Sequence, residues 1–473
     1  MKPNILILST ALSAVALFST QVGAQTPYAP GYPPQAAPAY GGPSGYSMLG
    51  DGNAMPYGPM GPASGYAASP VGYQQGAPLD YQDPSMQPIP ATDYGDYGPQ
   101  AAYDQSVLTG SPYAETCQDA SCNSCDLPPR VYGSADLLVM WRKNSTLPAL
   151  LTTSAPADEG VIGAPTTQTL FGGTEQGHPL TGVRFTTGLW LDNYQNWSVG
   201  GRFLALEREV LGINTTSAQF STLAFPFFNT NTGTNGSFVV ALPGAGTNAA
   251  DDTSVNIRKT NNFYTGDIFL TKHIVTNHAN RVDFVTGYSF ARIDDALAMN
   301  SQFTARNGGG SFPLNSTVTT SDNFLAKNDF NGGQFGLIFD FQDGPFTWRA
   351  LTKISVGGMH QRMAINGSQT VTDPFGGPPT TTGQGYYARS SNNGNYQRDV
   401  FCYIPEANVD LIYALNGNLD LKVGCTYIYV SDVALAQSGV PGTINPNGGD
   451  PVFQFASDDY WALGATFGLD FHY

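Results

Sequence analysis

Long hydrophobic runs are almost absent from this chain of 473 residues. An apolar stretch runs from Ile5 to Phe18, and no later stretch approaches the roughly 18 continuous apolar residues of a transmembrane helix. This stretch is preceded by Lys2 and followed by the small-residue cleavage signal Val22-Gly-Ala24, so residues 1–24 are predicted to be a secretory signal peptide. Gln25 stands where a lipoprotein would carry its modified cysteine. The protein is therefore expected to be exported, and any membrane insertion must use β-strands.

Basic residues are missing between Lys2 and Arg130. The acidic residues of this interval are Asp51, Asp80, Asp83, Asp93, Asp96, Asp104, Glu115, Asp119 and Asp126. Residues 25–126 are dominated by Pro, Gly, Ala, Gln and Tyr, a composition that buries too little apolar surface to offset chain entropy. We therefore predict a disordered periplasmic region, either a solvated spacer or one whose tyrosines bind a cell-wall polymer. The formal net charge of −16 argues against nucleic acid as a partner.

Cysteines are few as well: the chain has five. Cys117, Cys122 and Cys125 lie at the end of the acidic region, whereas Cys402 and Cys425 lie in candidate strands. The first three could form a local disulfide in an oxidising periplasm, remain free or bond to another chain, or bind a metal for which no fourth ligand is evident. No cofactor is expected.

What the sequence does contain is alternation of apolar and polar residues, most regular at the carboxyl terminus. Trp461, Leu463, Ala465, Phe467, Leu469, Phe471 and Tyr473 alternate with small or polar residues. An apolar face toward lipid and a small or charged face toward a lumen is the pattern of a transmembrane β-strand. We predict that Leu469, Phe471 and Tyr473 form the terminal signal that barrel-assembly machinery recognises.

The same alternation recurs from residue 131 onward, and the links between strands alternate in length. Tight turns such as Asp343-Gly344 alternate with long polar links, at about 143–181, 209–256, 294–331, 357–400 and 431–458. Short periplasmic turns and long external loops are typical of outer-membrane barrels. Residues 127–473 are thus predicted to form one antiparallel transmembrane β-barrel of ten strands, or of twelve if a loop hides a hairpin. The predicted strands are 131–142, 182–192, 197–208, 257–274, 281–293, 332–342, 345–356, 401–413, 419–430 and 459–473.

Charged residues fall on the face opposite the apolar one, and this face is predicted to line the lumen. A Lys or Arg facing lipid at mid-depth would cost about 2–4 kcal/mol. The predicted lumen-facing residues are Asp136, Arg184, Arg202, Asp267, Asp283, Asp340, Arg349, Lys353, Glu406, Asp410, Asp420, Lys422 and Asp470. Acids outnumber bases in this set, which favours a narrow, ion-paired interior with a slight preference for cations.

Aromatic residues cluster near the predicted strand ends, as in the girdles at the two membrane interfaces. Trp141 and Trp461 are assigned to the outer interface. The periplasmic girdle is assigned to Trp197, Phe341, Phe346, Trp348, Tyr413, Phe471 and Tyr473.

Several segments resemble a known family. They are 147–154, 170–173, 182–192, 331–336, 393–406, 431–433 and the closing strand. In this order they are similar to the β-barrel porin-7 family of planctomycete outer membranes, over about residues 127–473. The resemblance implies a porin, and it implies no functional residues. An arginine expected shortly after Ser431-Asp-Val433 is replaced by Ala434-Leu-Ala-Gln437.

Porin-like passage of small solutes or ions is the function the sequence favours. An envelope-structural or adhesion barrel with long external loops is the alternative, and an outer-membrane hydrolase is a minor one. A hydrolase would need a histidine beside a carboxylate or serine at the outer rim. Asp294-Asp295 and Asp458-Asp459 are also candidates for Ca²⁺ binding. The histidines are His178, His273, His278, His360 and His472.

The two strand cysteines test the strand register. If apolar residues share one face across the turn at Asn416-Gly-Asn418, then Leu415 lies opposite Leu419 and Val409 lies opposite Cys425. Cys402 would face the lumen and Cys425 the lipid. The two are therefore predicted not to form a disulfide, since a disulfide requires Cα atoms within about 7 Å.

Overall fold

In the computed structural model of the protein, residues 129–473 are described, except 175–176, 245–248, 278, 307–311, 447–448 and 450. The predicted signal peptide, the acidic region and its three cysteines lie outside these residues. No helix within them is long and apolar enough to cross a membrane. In chain order the strands are β1 (Val131–Arg142), β2 (Thr146–Thr153), β3 (Gln168–Thr174), β4 (Leu180–Trp190), β5 (Trp197–Leu206), β6 (Glu209–Thr216), β7 (Leu223–Asn229), β8 (Thr234–Ala241), β9 (Ala250–Thr276), β10 (Asn280–Ala305), β11 (Thr317–Asp343), β12 (Phe346–Thr372), β13 (Thr380–Thr382), β14 (Gly394–Asn416), β15 (Leu419–Val433), β16 (Thr443–Ile444) and β17 (Asp458–His472).

Ten of these strands close into a ring, as predicted. The order is β1-β4-β5-β9-β10-β11-β12-β14-β15-β17 and back to β1, and every neighbouring pair is antiparallel. Closure leaves the ring without an unpaired edge, which a bilayer would not tolerate. We call the end of the ring with the short turns the turn end, and the opposite end the loop end.

The ring has a tall side and a low side. Strands β9 to β12 have 26 or 27 residues each, whereas β1, β4 and β5 have 10 to 12. The tall strands continue into segments that the sequence assigned to loops, and β6 and β13 pair with their loop-end halves. The remaining loops hold a second, five-stranded sheet made of β16, β7, β2, β3 and β8.

The polarity of the two wall faces reverses along the tall strands. Near the turn end of β10, Phe284 and Tyr288 are exposed on the outside, while Asp283 and Ser289 are buried inside. Near the loop end of the same strand the outward residues are polar and exposed, as at Asn300 and Gln302, and the inward ones are apolar and buried. Side chains alternate with a strict period of two, so the strand has not changed register. What changes is the surroundings of each face.

The outward apolar band matches a membrane in height. On β11 it runs from Phe341 back to Phe335, and on β10 from Val282 to Phe290, interrupted only by Thr286. About 9–11 residues of a tilted strand cross the hydrocarbon core. The band therefore occupies the turn-end half of the ring, and the loop-end half projects beyond it.

Aromatic residues flank the band. At the turn end, Trp197, Phe346, Trp348 and Tyr413 are exposed, and the rings of Phe346 and Tyr413 are 5.1 Å apart. Tyr473 is exposed there as well, and its carbonyl accepts hydrogen bonds from the N–H groups of residues 130 and 131. At the loop end of the band Trp141 is exposed.

The closing strand packs tightly on β1. Phe471 lies opposite Gly133, and a Cβ added to that glycine would be 2.3 Å from the Phe471 ring. Leu469, two residues earlier, is exposed on the outer face. Glycine at 133 thus leaves room for the Phe471 ring against the neighbouring strand.

Candidate functional site

The turn-end half of the lumen holds a cavity of about 380 Å³, which we call the vestibule. It reaches the turns around residues 195, 277–280 and 342–347. Twelve of the thirteen residues assigned to the lumen line it, and Glu406 is ion-paired to two of its lining residues. Two clusters of ion pairs organise these side chains.

The first cluster joins four strands across the lumen. Arg202 of β5 donates to Glu406 of β14 at 2.7 Å, and it also pairs with Asp267 of β9. Lys353 of β12 lies 2.7 Å from Asp267 and 3.4 Å from Glu406. All four side chains are at most 7% exposed. Two cations and two anions therefore neutralise each other where either alone would be costly to bury.

The second cluster is connected to the first through Asn408, which donates to Glu406 at 3.0 Å and accepts from Arg184 at 3.1 Å. Asp136 pairs with Arg184 at 2.7 Å and with Lys422 at 2.8 Å. Lys422 also pairs with Asp470, at 2.7 Å. Arg349 then bridges Asp470, at 3.2 Å, and Asp340, at 2.9 Å. The chain of pairs joins six strands through side chains that meet inside the ring.

Three further acidic residues that were assigned to the lumen, Asp283, Asp410 and Asp420, also line the vestibule. Asp283 pairs with His273 at 2.8 Å and with Arg281 at 2.9 Å, and His472 lies 3.8 Å from Asp420. Asp410 is 5% exposed, and its Oδ1 has no hydrogen-bond partner among the described residues.

Neutral polar residues also take part, and a survey of charges alone misses them. Arg184 donates to Asn408 and to Thr426, at 3.1 Å each, and Lys353 donates to Gln334 at 2.7 Å. All three neutral residues stand at even positions, as do the charged residues assigned to the lumen on the same strands. The period-two rule could therefore have identified them.

An apolar layer interrupts the lumen beyond the vestibule. It consists of fully or almost fully buried side chains from every part of the ring, among them Leu138, Met140, Leu204, Phe263, Ile293, Phe330, Met359 and Ile428. The sequence predicted a charged lumen. The ion pairs of the predicted residues lie in its turn-end half, and a further buried pair, Arg142 with Glu209, lies on the loop-end side of Met140. A well-packed apolar layer holds no continuous water path, so the lumen is closed at this level.

The segment that follows β15, residues 434–440, folds into the ring above this layer. We call it the crossing segment. Asn328 of β11 forms two hydrogen bonds with the backbone of Ala434, both 2.8 Å long. The N–H of Ala436 donates to Asp295 of β10 at 2.9 Å, and Lys259 of β9 donates to Gln437, also at 2.9 Å. Three tall strands therefore hold the crossing segment in the lumen.

These contacts correct the suggestion that Asp294-Asp295 binds Ca²⁺. Successive strand residues point to opposite faces, and Asp295 is buried inside the ring while Asp294 belongs to the outer face. Asp458 and Asp459 both pair with Lys143 instead. Within residues 129–473, gaps excepted, no group of three or more His, Cys, Asp or Glu residues could hold a metal ion.

The second sheet and residues 383–392 close the loop end, and together we call them the cap. Their apolar side chains and the inward apolar residues of the tall strands form one core, which includes Phe225, Tyr387 and Phe324. The rings of Phe225 and Tyr386 stack 4.4 Å apart, and the Tyr387 hydroxyl donates to the carbonyl of Pro226 at 2.8 Å. The loop-end mouth of the ring is therefore filled by folded chain.

One carboxylate anchors the cap to the wall. Asp322 of β11 is fully buried and accepts hydrogen bonds from the backbone N–H groups of residues 386, 387 and 388, at 2.9, 3.1 and 2.6 Å. Burial raises the pKa of Asp322 to about 6, against the lowering effect of these three donors. No feature of the sequence around Asp322 indicated this role.

The histidines lie on separate surfaces. His360 hydrogen-bonds Asp399 at 2.7 Å on the outer wall, while His273 and His472 lie at the turn end. His178 is exposed between β3 and β4, and His278 lies outside the described residues. Of the four described histidines, His273 and His360 each hydrogen-bond a carboxylate, that of Asp283 and that of Asp399 respectively.

The strand cysteines occupy opposite faces. Val409 lies opposite Cys425 as predicted, although a register shift next to the turn pairs Asn416, rather than Leu415, with Leu419. Cys425 is exposed on the outer face, Cys402 is buried inside, and both are free thiols.

Comparison with known proteins identifies a family. The model described as Putative beta barrel porin-7 (BBP7) matches residues 132–473. No curated protein matches the sequence. Similar solved structures include the outer membrane protease OmpT of Escherichia coli (12% identity, covering 73% of this chain and 97% of that one, TM-score 0.37) and the toluene transporter TodX of Pseudomonas putida (9%, 73% and 91%, 0.19). At these values the similarities do not bear on activity.

Proposed function

Because the chain belongs to the beta barrel porin-7 family, we propose that it is an outer-membrane barrel of the porin type with a narrow, charged vestibule that is closed at rest. The vestibule admits small ions from the turn end. The apolar layer, the crossing segment and the cap then block further passage. Conduction requires these layers to move, so open-state currents are expected to be small and infrequent.

We further propose that the turn end faces the periplasm and the cap faces the outside. Short turns at the periplasm and long external loops are the general arrangement of such barrels. In this orientation the chain enters the first strand from the periplasmic side, so residues 25–126 would be periplasmic. Leu469, Phe471 and Tyr473 would meet the barrel-assembly machinery from the same side.

The observation that supports a closed state is the order of the layers along the lumen. A vestibule of ion-paired side chains is followed by a fully buried apolar layer and then by a folded cap. Barrels of about eight strands are filled by their own side chains, whereas those of 16 or more leave a water-filled channel. A ten-stranded ring with these contents belongs with the filled class.

Planar-bilayer recording of the purified full-length protein tests the proposal. Wild-type conductance is expected to be far below that of a general diffusion porin recorded alongside. Replacing Phe263, Phe330 and Met359 by Ser makes part of the apolar layer polar and should raise the conductance. The current should prefer cations, because acids outnumber bases among the inward residues. A matched control carries Ser at the outward residues Asn300, Gln302 and Asn323, and it should behave like the wild type.

A large wild-type conductance or a preference for anions would contradict the proposal.

The cap favours a second candidate function, an envelope-structural or adhesion barrel. Its five-stranded sheet packs against the tall wall and so forms an ordered surface rather than a set of irregular loops. If neither the wild type nor the apolar-layer variant conducts ions, although both proteins are folded, that candidate would be favoured. Catalysis forms no part of either proposal.

A further inference from the structure

We infer that the outer wall binds the phosphate headgroup of an anionic lipid at Arg292 and Arg362. These residues belong to β10 and β12, and Asp329 of β11 stands between them. The inference goes beyond the conductance proposal and does not depend on whether the lumen opens. It depends only on the placement of the apolar band in the membrane.

The depth of the two arginines is that of lipid headgroups. On the outer face of β10 the apolar residues end at Phe290, and Arg292 is the next outward residue. Directly opposite Arg292 in the ladder are Asp329 on one side and Tyr264 on the other. The Arg292 guanidinium lies over the Tyr264 ring, 5.9 Å from its centre. An aromatic ring and a cation at the edge of an apolar band are typical of the membrane interface.

The charges of the arginines are only partly compensated. Arg292 donates to one oxygen of Asp329, and Arg362 donates to the other at 2.8 Å. Two guanidinium groups therefore share one carboxylate, which leaves one positive charge in the trio. The arginine side chains are 43% and 53% exposed, whereas that of Asp329 is 15% exposed. A planar guanidinium suits the paired oxygens of a phosphate.

A recess beside Arg292 has room for part of an acyl chain. Its volume is about 220 Å³, and it is lined by Tyr264, Tyr288, Phe290, Asn331 and neighbouring atoms of Arg292 and Asp329. On the adjoining wall Gly358 has open space where a Cβ would stand, and Gly333 has almost as much. An acyl chain can therefore lie against bare backbone below the headgroup site, which free phosphate cannot exploit.

Two further sets of oppositely charged residues stand on this part of the wall. His360 hydrogen-bonds Asp399 on the strands beyond Asp329. Asp294 and Lys327 face each other directly in the ladder between β10 and β11. The shared carboxylate of Asp329 is thus the main competitor of a phosphate for the two arginines.

Native mass spectrometry of the full-length protein in detergent tests the inference. Phosphatidylglycerol and phosphatidylcholine are added in parallel, and inorganic phosphate is added in a third arm. The wild type should retain phosphatidylglycerol in preference to phosphatidylcholine, and inorganic phosphate should not displace it. Arg362→Gln should weaken phosphatidylglycerol retention by about three- to tenfold, the equivalent of about 0.7–1.4 kcal/mol.

Two further variants make the test specific. Arg258→Gln removes an exposed arginine from the same outer wall, well above the band, and should leave retention unchanged. Asp329→Asn removes the competing carboxylate, so it should strengthen retention, which a merely destabilised protein would not do. Equal retention of the two lipids by the wild type, or equal losses in Arg362→Gln and Arg258→Gln, would overturn the inference. So would displacement by inorganic phosphate.

Discussion

The buried charges of the vestibule show how far single residues could be predicted. Each was assigned to the lumen because it lies on the face of its strand that is opposite the apolar face. The structure shows Asp136, Arg184 and Lys422 buried in one cluster of ion pairs. Parity alone could not predict which acid meets which base, because the partners lie on strands far apart in sequence, such as Arg202 and Glu406.

Arg202 gives a test of this network. Arg202→Ala would leave Asp267 and Glu406 with Lys353 as their only nearby cation, and removing one partner of a buried ion pair typically costs about 3–5 kcal/mol. We expect a loss of unfolding free energy of about that size, measured by denaturant unfolding in lipid vesicles with tryptophan fluorescence.

The controls for this measurement separate charge from bulk. Arg202→Lys keeps one positive charge and should recover part of the loss. Lys272→Ala removes an outward lysine that lies over the Trp197 ring, 4.5 Å from its centre, and should cost only about 1 kcal/mol. A loss for Arg202→Ala no larger than that for Lys272→Ala would show that the ion pairs contribute little.

At the scale of whole strands, the sequence located all ten strands of the ring, and their turn-end boundaries agree with the structure to within a few residues. The loop-end boundaries were wrong by seven residues in β9 and by 12 to 16 residues in β10 to β12. In that half the outward face contacts water rather than lipid, so polar residues such as Asn256 and Asn323 occupy it, and the segments resemble loops in composition. The alternation persists there, but with the apolar residues inside.

The register of the β14–β15 hairpin can be checked by cross-linking. Val409 and Cys425 are opposite each other, and opposed residues of an antiparallel pair have Cα atoms about 4.5–5.5 Å apart, within the range of a disulfide. Val409→Cys should therefore form a disulfide with Cys425 under oxidising conditions, detectable by peptide mass mapping.

Leu411→Cys is the matched control for the register. It lies opposite Val423, two positions along the same outward face, and should not cross-link to Cys425. If Leu411→Cys cross-links and Val409→Cys does not, the register of this hairpin differs by two residues from that described above.

The second sheet and the crossing segment were not predicted, and the reason is physical. Their strands are short, and their partners come from distant parts of the chain: β16 pairs with β7 through two residue pairs, and β2 with β7 through one. Such pairing is stabilised by burial against the tall wall rather than by local propensity. The sequence of one chain therefore gives little indication of such long-range strand pairing.

At the scale of the whole molecule, the family resemblance is confirmed by the match over residues 132–473. The barrel combines two folding regimes in one continuous wall. Its turn-end half has an apolar exterior and an ion-paired interior, whereas its loop-end half has the apolar core of a water-soluble protein. The sequence predicted the first regime, because the alternation of apolar with small or polar residues within a single strand is enough to identify a lipid-facing strand.

Orientation can be tested by labelling intact cells. In a background with all five native cysteines replaced by Ser, Phe375→Cys places a thiol in the link between β12 and β13, and Tyr194→Cys places one in the turn between β4 and β5. These side chains are 87% and 61% exposed. A membrane-impermeant maleimide should label position 375 and not position 194, and the reverse pattern would show that the barrel is inserted the other way round.

The unbroken ladders of the tall wall have a mechanical consequence. β11 and β12 are joined by 27 consecutive residue pairs, from the tip beside the cap to the Asp343-Gly344 turn, without a register shift. A pull on the cap along the barrel axis loads these hydrogen bonds in shear, so they share the force instead of breaking one after another. The wall is thus stiff along the barrel axis, and tension applied to the cap would reach the apolar band of the barrel with little loss to stretching.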